Sequence, residues 1–274
     1  MDRYDLQHRF LSFVGGLPGL RSIRYTASHG VASGLQRVGG LGWLARFVPM
    51  GRRQHEAEES LVMDLVAEGW FAGRTVYDVG GDQGLYALAF ALAVGEEGRV
   101  LCYEPVPASQ RKIQENIAVN RLEAPILLRP VAVGSSAGSL TLAIPGSESA
   151  LTSADPAIIE TFGKNTARVQ SIEVPVVTLD AEIAAGQPIP SFLKIDVEGF
   201  ELAVLKGMHD LATKHRPRLL IEMHGADESR KQANAREVVA WLLEHGYTVR
   251  HVESDTVLDT ETSLTAARGH LDCT

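Results

Sequence analysis

From residue 74 to residue 252 the chain alternates short apolar runs with longer amphipathic stretches, and that rhythm restricts the fold more than any other feature. "TVYDVG", "RVLCYEP", "ILLRPVAVG", "FLKIDVEG", "RLLIEMHG" and "YTVRHVE" read as strands. "GLYALAFALAV", "ASQRKIQENIAVN", "ELAVLKGMHDLATK" and "AREVVAWLLEHG" read as helices between them. The strands are nearly continuous in apolar character, so both their faces are buried. Short buried strands alternating with helices imply an α/β fold: a mostly parallel, doubly wound sheet with helices on both faces. A helix precedes the first strand, in "QHEAEESLVMDLVAEGW". It carries Leu61, Val62, Leu65 and Val66 on one face and Glu56, Glu58 and Glu59 in its first turns, where the helix dipole favours acids.

Two segments depart from the rhythm. Residues 1–53 hold eight arginines against Asp2 and Asp5, so the rest of a chain of net charge −8 carries −14. Gly34, Gly39, Gly40 and Gly42 interrupt the apolar spacing there, which predicts an N-terminal extension of loops and short helices, a cap or partner contact. The α/β domain then occupies 54–274. Within it, 135–180 contains "SLTLAI" and "SIEVPVVTLD", whose alternation predicts an inserted β-hairpin. The only cysteines are Cys102, inside a predicted strand, and Cys273, next to last. A disulfide framework is not expected, and a reducing, cytoplasmic setting fits. No apolar run approaches the roughly 20 residues of a membrane span. Contact with a membrane surface through the arginine-rich head and assembly into a homo-oligomer both stay open. The acidic body offers no basic groove, which excludes a nucleic-acid partner.

In a doubly wound sheet, ligands bind at the carboxyl ends of the strands where strand order reverses. The first strand of the alternation runs into "DVGGDQGLY", with Asp78, Gly80 and Gly84 in the pattern D-x-G-x-x-x-G. Glycines there let the backbone approach a ligand closely. A dinucleotide site wants G-x-G-x-x-G, and here Asp78 takes the first glycine's place. A carboxylate at a strand end repels a pyrophosphate and attracts an ammonium, which points to S-adenosylmethionine. "VLCYEP" ends in Glu104, about 20 residues beyond the turn, where an acid accepts hydrogen bonds from a ribose diol. The donor site is therefore expected to comprise Asp78, Gly80, Gly84 and Glu104, with backbone around Ala132 and the acid Asp196 near the adenosine and methionine ends.

"DVGGDQGLY", "YEPVPAS", "NIAVN", "VAVG", "VTLD", "FLKIDVEGFELAVLKG" and "LLIEMH" occur in an order and spacing that resemble the FkbM family of S-adenosylmethionine-dependent methyltransferases, over roughly residues 56–250. "KIDVEGFE" with the downstream "VLKG" is the most specific piece. The resemblance implies a Rossmann-like methyltransferase domain, the methyl donor as cofactor, and O-methylation of a sugar, polyketide or other secondary metabolite. The partner is then a small-molecule or glycoside acceptor. One departure stands out: the family's turn commonly reads D-V-G-A-N-x-G, whereas this chain has Gly81, Asp82 and Gln83.

For the chemistry, period two puts Lys194, Asp196 and Glu198 on one side of "SFLKIDVEG", with Lys194 pairing Asp196 or Glu222. Glu222 and His224 share a side at the end of the next strand. The catalytic set expected is Asp196, Glu222 and His224, with His224 as general base toward an acceptor hydroxyl. Asp196, Glu198 and Glu222 holding a divalent cation is a second route, but no dedicated metal spacing is present, so no metal ligand is assigned. Two other classes stay open beside the methyltransferase: a nicotinamide-dependent oxidoreductase, against which Asp78 speaks, and a non-catalytic methyltransferase-like binding protein.

Overall fold

The computed structural model describes residues 35–37, 43–45, 55–145 and 169–274. Within the N-terminal extension, β1 (Leu35–Arg37) and β2 (Trp43–Ala45) pair antiparallel, in place of the loops and short helices expected there. The rest of 1–53, and the polar connection of the inserted hairpin, lie outside the described residues.

Helix α1 (His55–Ala67) leads into β3 (Thr75–Val79), α2 (Leu85–Val94), β4 (Arg99–Tyr103), α3 (Pro107–Asn120) and β5 (Ile126–Arg129). After an excursion come β9 (Phe192–Ile195), β10 (Arg218–Glu222), helix α7 (Glu228–Glu244), β11 (Val249–His251), β12 (Thr256–Leu258) and β13 (His270–Cys273). One eight-stranded sheet runs β12-β11-β13-β10-β9-β3-β4-β5, and β10, β9, β3, β4 and β5 are mutually parallel. The chain builds outward from β3 through β4 to β5, then returns to lay β9 on the other side of β3. The strand order therefore reverses between β3 and β9.

Both faces of this sheet are covered, as the continuous apolar strands require. Val76, Val100, Cys102, Phe192 and Leu220 pack under α1, α2 and α3 through Val62, Leu65, Leu88, Phe90 and Ile113. Tyr77, Leu101, Leu193, Leu219 and Leu271 face Val204, Leu211, Val238 and Leu242 on the opposite side. Among the described residues no helix is long and apolar enough to cross a membrane.

Several elements differ from their sequence reading, each for a local reason. "ILLRPVAVG" is two strands. Pro130, which has no amide to donate, ends the ladder after β5. The chain then enters β6 (Ala132–Val133) of a separate sheet, ordered β6-β8-β7 with β7 (Gly138–Pro145) and β8 (Val169–Val177) antiparallel. A short helix α4 (Leu179–Ala184), capped by the Thr178 hydroxyl accepting from the Ala181 amide, leads back to β9. "ELAVLKGMHDLATK" is α5 (Glu201–Lys206) and α6 (His209–His215), parted at Gly207, where a Cβ would run into the Gly134 carbonyl. "SFLKIDVEG" is a strand only to Ile195; Glu198 and Gly199 form a left-handed turn at φ 48° and 96°. The last twenty residues, given no structure from sequence, supply β13, which inserts antiparallel between β10 and β11. Cys273, in that strand, and Cys102 are buried and free.

Candidate functional site

The glycine turn leaves β3 at the reversal point. The Gly80 and Gly81 amides both donate to the Tyr103 carbonyl of β4, at 3.0 and 3.2 Å, which folds the turn back over the sheet. Gly80 sits at φ 90°, and a Cβ there would collide with the Asp196 carbonyl of β9; a Cβ on Gly81 would collide with Cys102 Sγ. Only bare backbone fits between these strands. Asp82, at φ 45°, occupies the left-handed region that Asn and Asp tolerate better than other side chains. Its replacement of the family's asparagine therefore preserves the turn. The Asn116 side chain of α3 donates to the Gln83 carbonyl at 2.9 Å and pins the turn's far end.

Two acids frame this turn. Glu104, nearly buried, accepts from the Asp82 amide at 2.9 Å on one oxygen and from the Val106 amide at 2.7 Å on the other. Burial pushes its carboxyl up to about 8, against the pull of those two amides. Each oxygen keeps a second lone pair for a hydroxyl donor. Asp78 is 1% exposed, and neither of its oxygens meets a donor in good hydrogen-bond geometry among the described residues. Burial pushes it up to about 7, and Lys194 and, more weakly, the Ala87 amide of α2 act in the opposite direction. A buried carboxylate without a well-placed donor is costly, and a ligand ammonium would remove the cost. Ala132 lies in β6, buried in the same small cluster as Val106, the residue whose amide holds Glu104.

The second group stands one strand over. Lys194 of β9, 2% exposed, pairs with Asp196 at 2.9 Å and lies over the Tyr86 ring at 4.6 Å. Burial alone would lower its ammonium, but Asp196, Glu58, Asp78 and Glu222 raise it and keep it charged. His224, just past β10, is surrounded by acids. Its Nδ1 is 3.0 Å from Glu201 Oε1; its Nε2 is 3.4 Å from Glu222, 3.8 Å from Asp196 and 3.9 Å from Glu198. Burial works against a charged imidazole, but Glu201 and Glu222, then Asp196 and Glu198, raise it well above the ordinary histidine range. Burial pushes Glu198 up to about 7, partly offset by His224. Glu222 sits well below the carboxylate range: burial would raise it, but hydrogen bonds from His224 and His270 outweigh that.

The structure thus gathers Asp196, Glu222 and His224 at two neighbouring strand ends, with Glu198 reaching them from its turn and not from a strand face. Four carboxylates favour the protonated form of the His224 ring, and a protonated ring is a poor proton acceptor, which argues against the expected role of His224 as general base.

Sequence reasoning missed five residues of this surround. Glu201, fully buried, takes His224 Nδ1 on one oxygen and the Asn234 side chain on the other at 2.8 Å; Asn234 also donates to the His224 carbonyl at 3.0 Å. Glu58, read as a first-turn acid of α1, is 1% exposed and lies 2.6 Å from His270 Nε2. His270 lies 2.6 Å from Glu253 through Nδ1 and 3.5 Å from Glu222. Burial would lower its imidazole, but those three carboxylates raise it to about 11. The available signals were an acid opening an apolar helix and a histidine within an apolar run. Neither separates a buried partner from a solvated one.

A sequence profile described as the methyltransferase FkbM domain matches residues 78–249, more than half of the chain. No curated protein matches in sequence. Among solved structures, the methyltransferase FkbM from Methylobacillus flagellatus KT is similar at 17% identity and a TM-score of 0.47, over 74% of this chain and 44% of that one. The chain therefore spans less than half the length of that relative. The precorrin-6y C5,15-methyltransferase of Geobacter metallireducens GS-15 is similar at 11% identity and a TM-score of 0.41, over 78% and 86%. Aeropyrum pernix fibrillarin, solved with natively bound S-adenosyl-L-methionine, is similar at 11% and 0.42, over 74% and 66%.

Proposed function

Because the chain belongs to the FkbM family of methyltransferases, we propose that it methylates a hydroxyl of a small molecule or glycoside, with S-adenosylmethionine as donor. The observation that carries this reading is Asp78: a buried carboxylate that no side-chain donor among the described residues hydrogen-bonds, at the strand-order reversal, beside a turn that only glycine can make. The donor's ammonium suits Asp78, and its ribose hydroxyls suit the spare lone pairs of Glu104. A pyrophosphate would meet two acids instead of amides, which disfavours a nicotinamide cofactor.

When bound, the donor supplies a methyl group on a sulfonium, open to in-line attack. The chain's part is to hold the acceptor oxygen in line and receive its proton. The donor's methyl would pass to the acceptor oxygen, and a carboxylate of the Asp196–Glu198–Glu222 group would take the hydroxyl proton. His224, which those acids favour in its charged form, would hold the carboxylates in place. Asp196 joins the two halves, since its carbonyl lies against Gly80 and its side chain lies in the acidic group. Two buried thiols and the lack of a membrane-spanning helix among the described residues accord with work in the cytoplasm.

Calorimetric titration with S-adenosylhomocysteine and with NAD is the test, followed by labelled-methyl transfer to a panel of hydroxylated acceptors. Binding of S-adenosylhomocysteine alone is expected. Binding of NAD alone, or of neither, would overturn the reading.

A further inference from the structure

His270 and His224 are both ringed by carboxylates, and they meet them differently. His270 makes close ion contacts, 2.6 Å to Glu58 and 2.6 Å to Glu253. Those are the distances of a charged imidazole touching its counter-ions, since such bonds run about 2.7–2.9 Å. Nε2 of His224 meets its three carboxylates at longer range, 3.4, 3.8 and 3.9 Å. Three acids and a ring nitrogen converge on one point and stop short of it.

The spacing has a chemical meaning. Ligand atoms about 2.0–2.2 Å from a metal ion stand roughly 3–3.6 Å from one another, depending on geometry. The ligand atoms of Asp196, Glu198 and His224 all lie within 4.8 Å of one another, so small side-chain rotations reach that spacing. The ring is also held from behind as metal-bound histidines are. Nδ1 faces the fully buried Glu201, which Asn234 and the Gly199 amide fix in turn at 2.8 and 3.0 Å. Such a carboxylate behind the ring holds the proton on Nδ1, and a bound ion would take the place of the Nε2 proton that the surrounding acids otherwise favour. Lys194 engages the other oxygen of Asp196 at 2.9 Å, leaving Oδ1 directed at the ring. Glu198 reaches the point only because its backbone adopts φ 48°, a conformation costly for glutamate and persistent only where its surroundings enforce it.

We propose that Asp196, Glu198 and His224 bind a divalent transition-metal ion. One imidazole with two carboxylates suits Mn, Fe, Co or Zn; Mg and Ca prefer all-oxygen sets. An ion there offsets the excess of acids over bases among the described residues around His224 and keeps coordination positions for an acceptor oxygen, which deepens the methyl-transfer reading. That role rests on the reading, whereas the binding of the ion does not.

The test uses the full chain, stripped with chelator and titrated with Mn, with binding followed by electron paramagnetic resonance and calorimetry. One bound ion per chain is expected, with nitrogen coupling from a histidine in the pulsed spectrum. His224→Gln should abolish that coupling, and Glu198→Gln should weaken binding at least about tenfold. Glu201→Gln, acting from behind the ring, should weaken it about 10- to 100-fold. Asp259→Asn, on the surface, should leave it unchanged. No binding by the wild type, or full affinity and coupling in a folded His224→Gln protein, would overturn the site. Titration with S-adenosylhomocysteine runs in parallel: Mn binding without it would sink the methyl-transfer reading and leave the metal site standing.

Discussion

Replacing Asp78 with Asn separates a ligand-binding acid from a structural one, because the two roles predict opposite signs for stability. In the folded chain, burial raises this carboxyl from 3.8 to about 7. A raised acid holds its proton longer folded than unfolded, so stability falls as pH climbs from about 4 to about 7 and stays reduced above that. A shift of about 3 units at 1.36 kcal/mol each gives roughly 4 kcal/mol withheld from the ligand-free fold at pH 8. Asp78→Asn removes the charge and keeps the shape, but buries an amide whose partners are absent, at about 1–3 kcal/mol. The net expectation at pH 8 is a ligand-free protein about 1–3 kcal/mol more stable than wild type, read by urea denaturation. The variant should bind S-adenosylhomocysteine about 10- to 150-fold more weakly, the value of a charge-assisted hydrogen bond. Protonation of Asp78 alone should lower wild-type affinity about tenfold from pH 8 to pH 6, and the variant should lose that part of the dependence and keep the part due to Glu104, which burial pushes up to about 8. A variant that is less stable yet binds the ligand with full affinity would refute the reasoning and make Asp78 a structural residue.

Glu104→Ala should weaken S-adenosylhomocysteine binding by about 1.5–3 kcal/mol; unchanged affinity would remove it from the ribose site. Gly80→Ala should cost several-fold more donor affinity than a surface substitution and lower the melting temperature, since its Cβ meets the Asp196 carbonyl and its φ of 90° disfavours any side chain. His270→Gln should lose about 3–5 kcal/mol in chemical denaturation, the cost of leaving buried carboxylates without their cation; a loss below about 1 kcal/mol would mean water reaches them. A chain beginning at Gln54 should keep its S-adenosylhomocysteine affinity; loss of binding in that chain, still folded, would place part of the donor pocket in residues 1–53.

The parallel sheet was legible because its strands are buried on both faces, and that leaves a continuous apolar mark on "TVYDV" or "RLLI" that no loop carries. The glycine turn was legible because Gly80 and Gly84 answer to steric demands of the backbone. The His224 surround was only half legible. Asp196, Glu222 and His224 lie at strand ends whose adjacency follows from topology, but Glu201 reaches the ring from helix α5, and Asn234 braces Glu201 and the His224 carbonyl from helix α7. Period and propensity give the side a helix buries and not which buried acid meets which ring. β13 escaped because an antiparallel strand of four residues, "HLDC", has no alternation long enough to see. With it went His270, and hence the meaning of Glu58.

Those missed residues complete a pattern on one face of the sheet. Val76, Phe192 and Leu220 are buried hydrocarbon on that face. Two residues further along the same strands, the face carries Asp78, Lys194 and Glu222, with Asp78 opposite Lys194 and Glu222 opposite His270 in register. Charge thus replaces hydrocarbon across four strands at the level where the parallel strands end, and Glu58 of α1 closes the row from above. Stability does not call for this, since apolar residues of similar volume in place of buried ion pairs are often neutral or stabilising. Among the described residues the row also does not balance: Asp78, Asp196, Glu198, Glu201, Glu222, Glu58 and Glu253 stand against Lys194, His224 and His270. A buried face with more acids than bases favours positive charge brought by a ligand, and a sulfonium, its ammonium and a divalent cation all carry that sign.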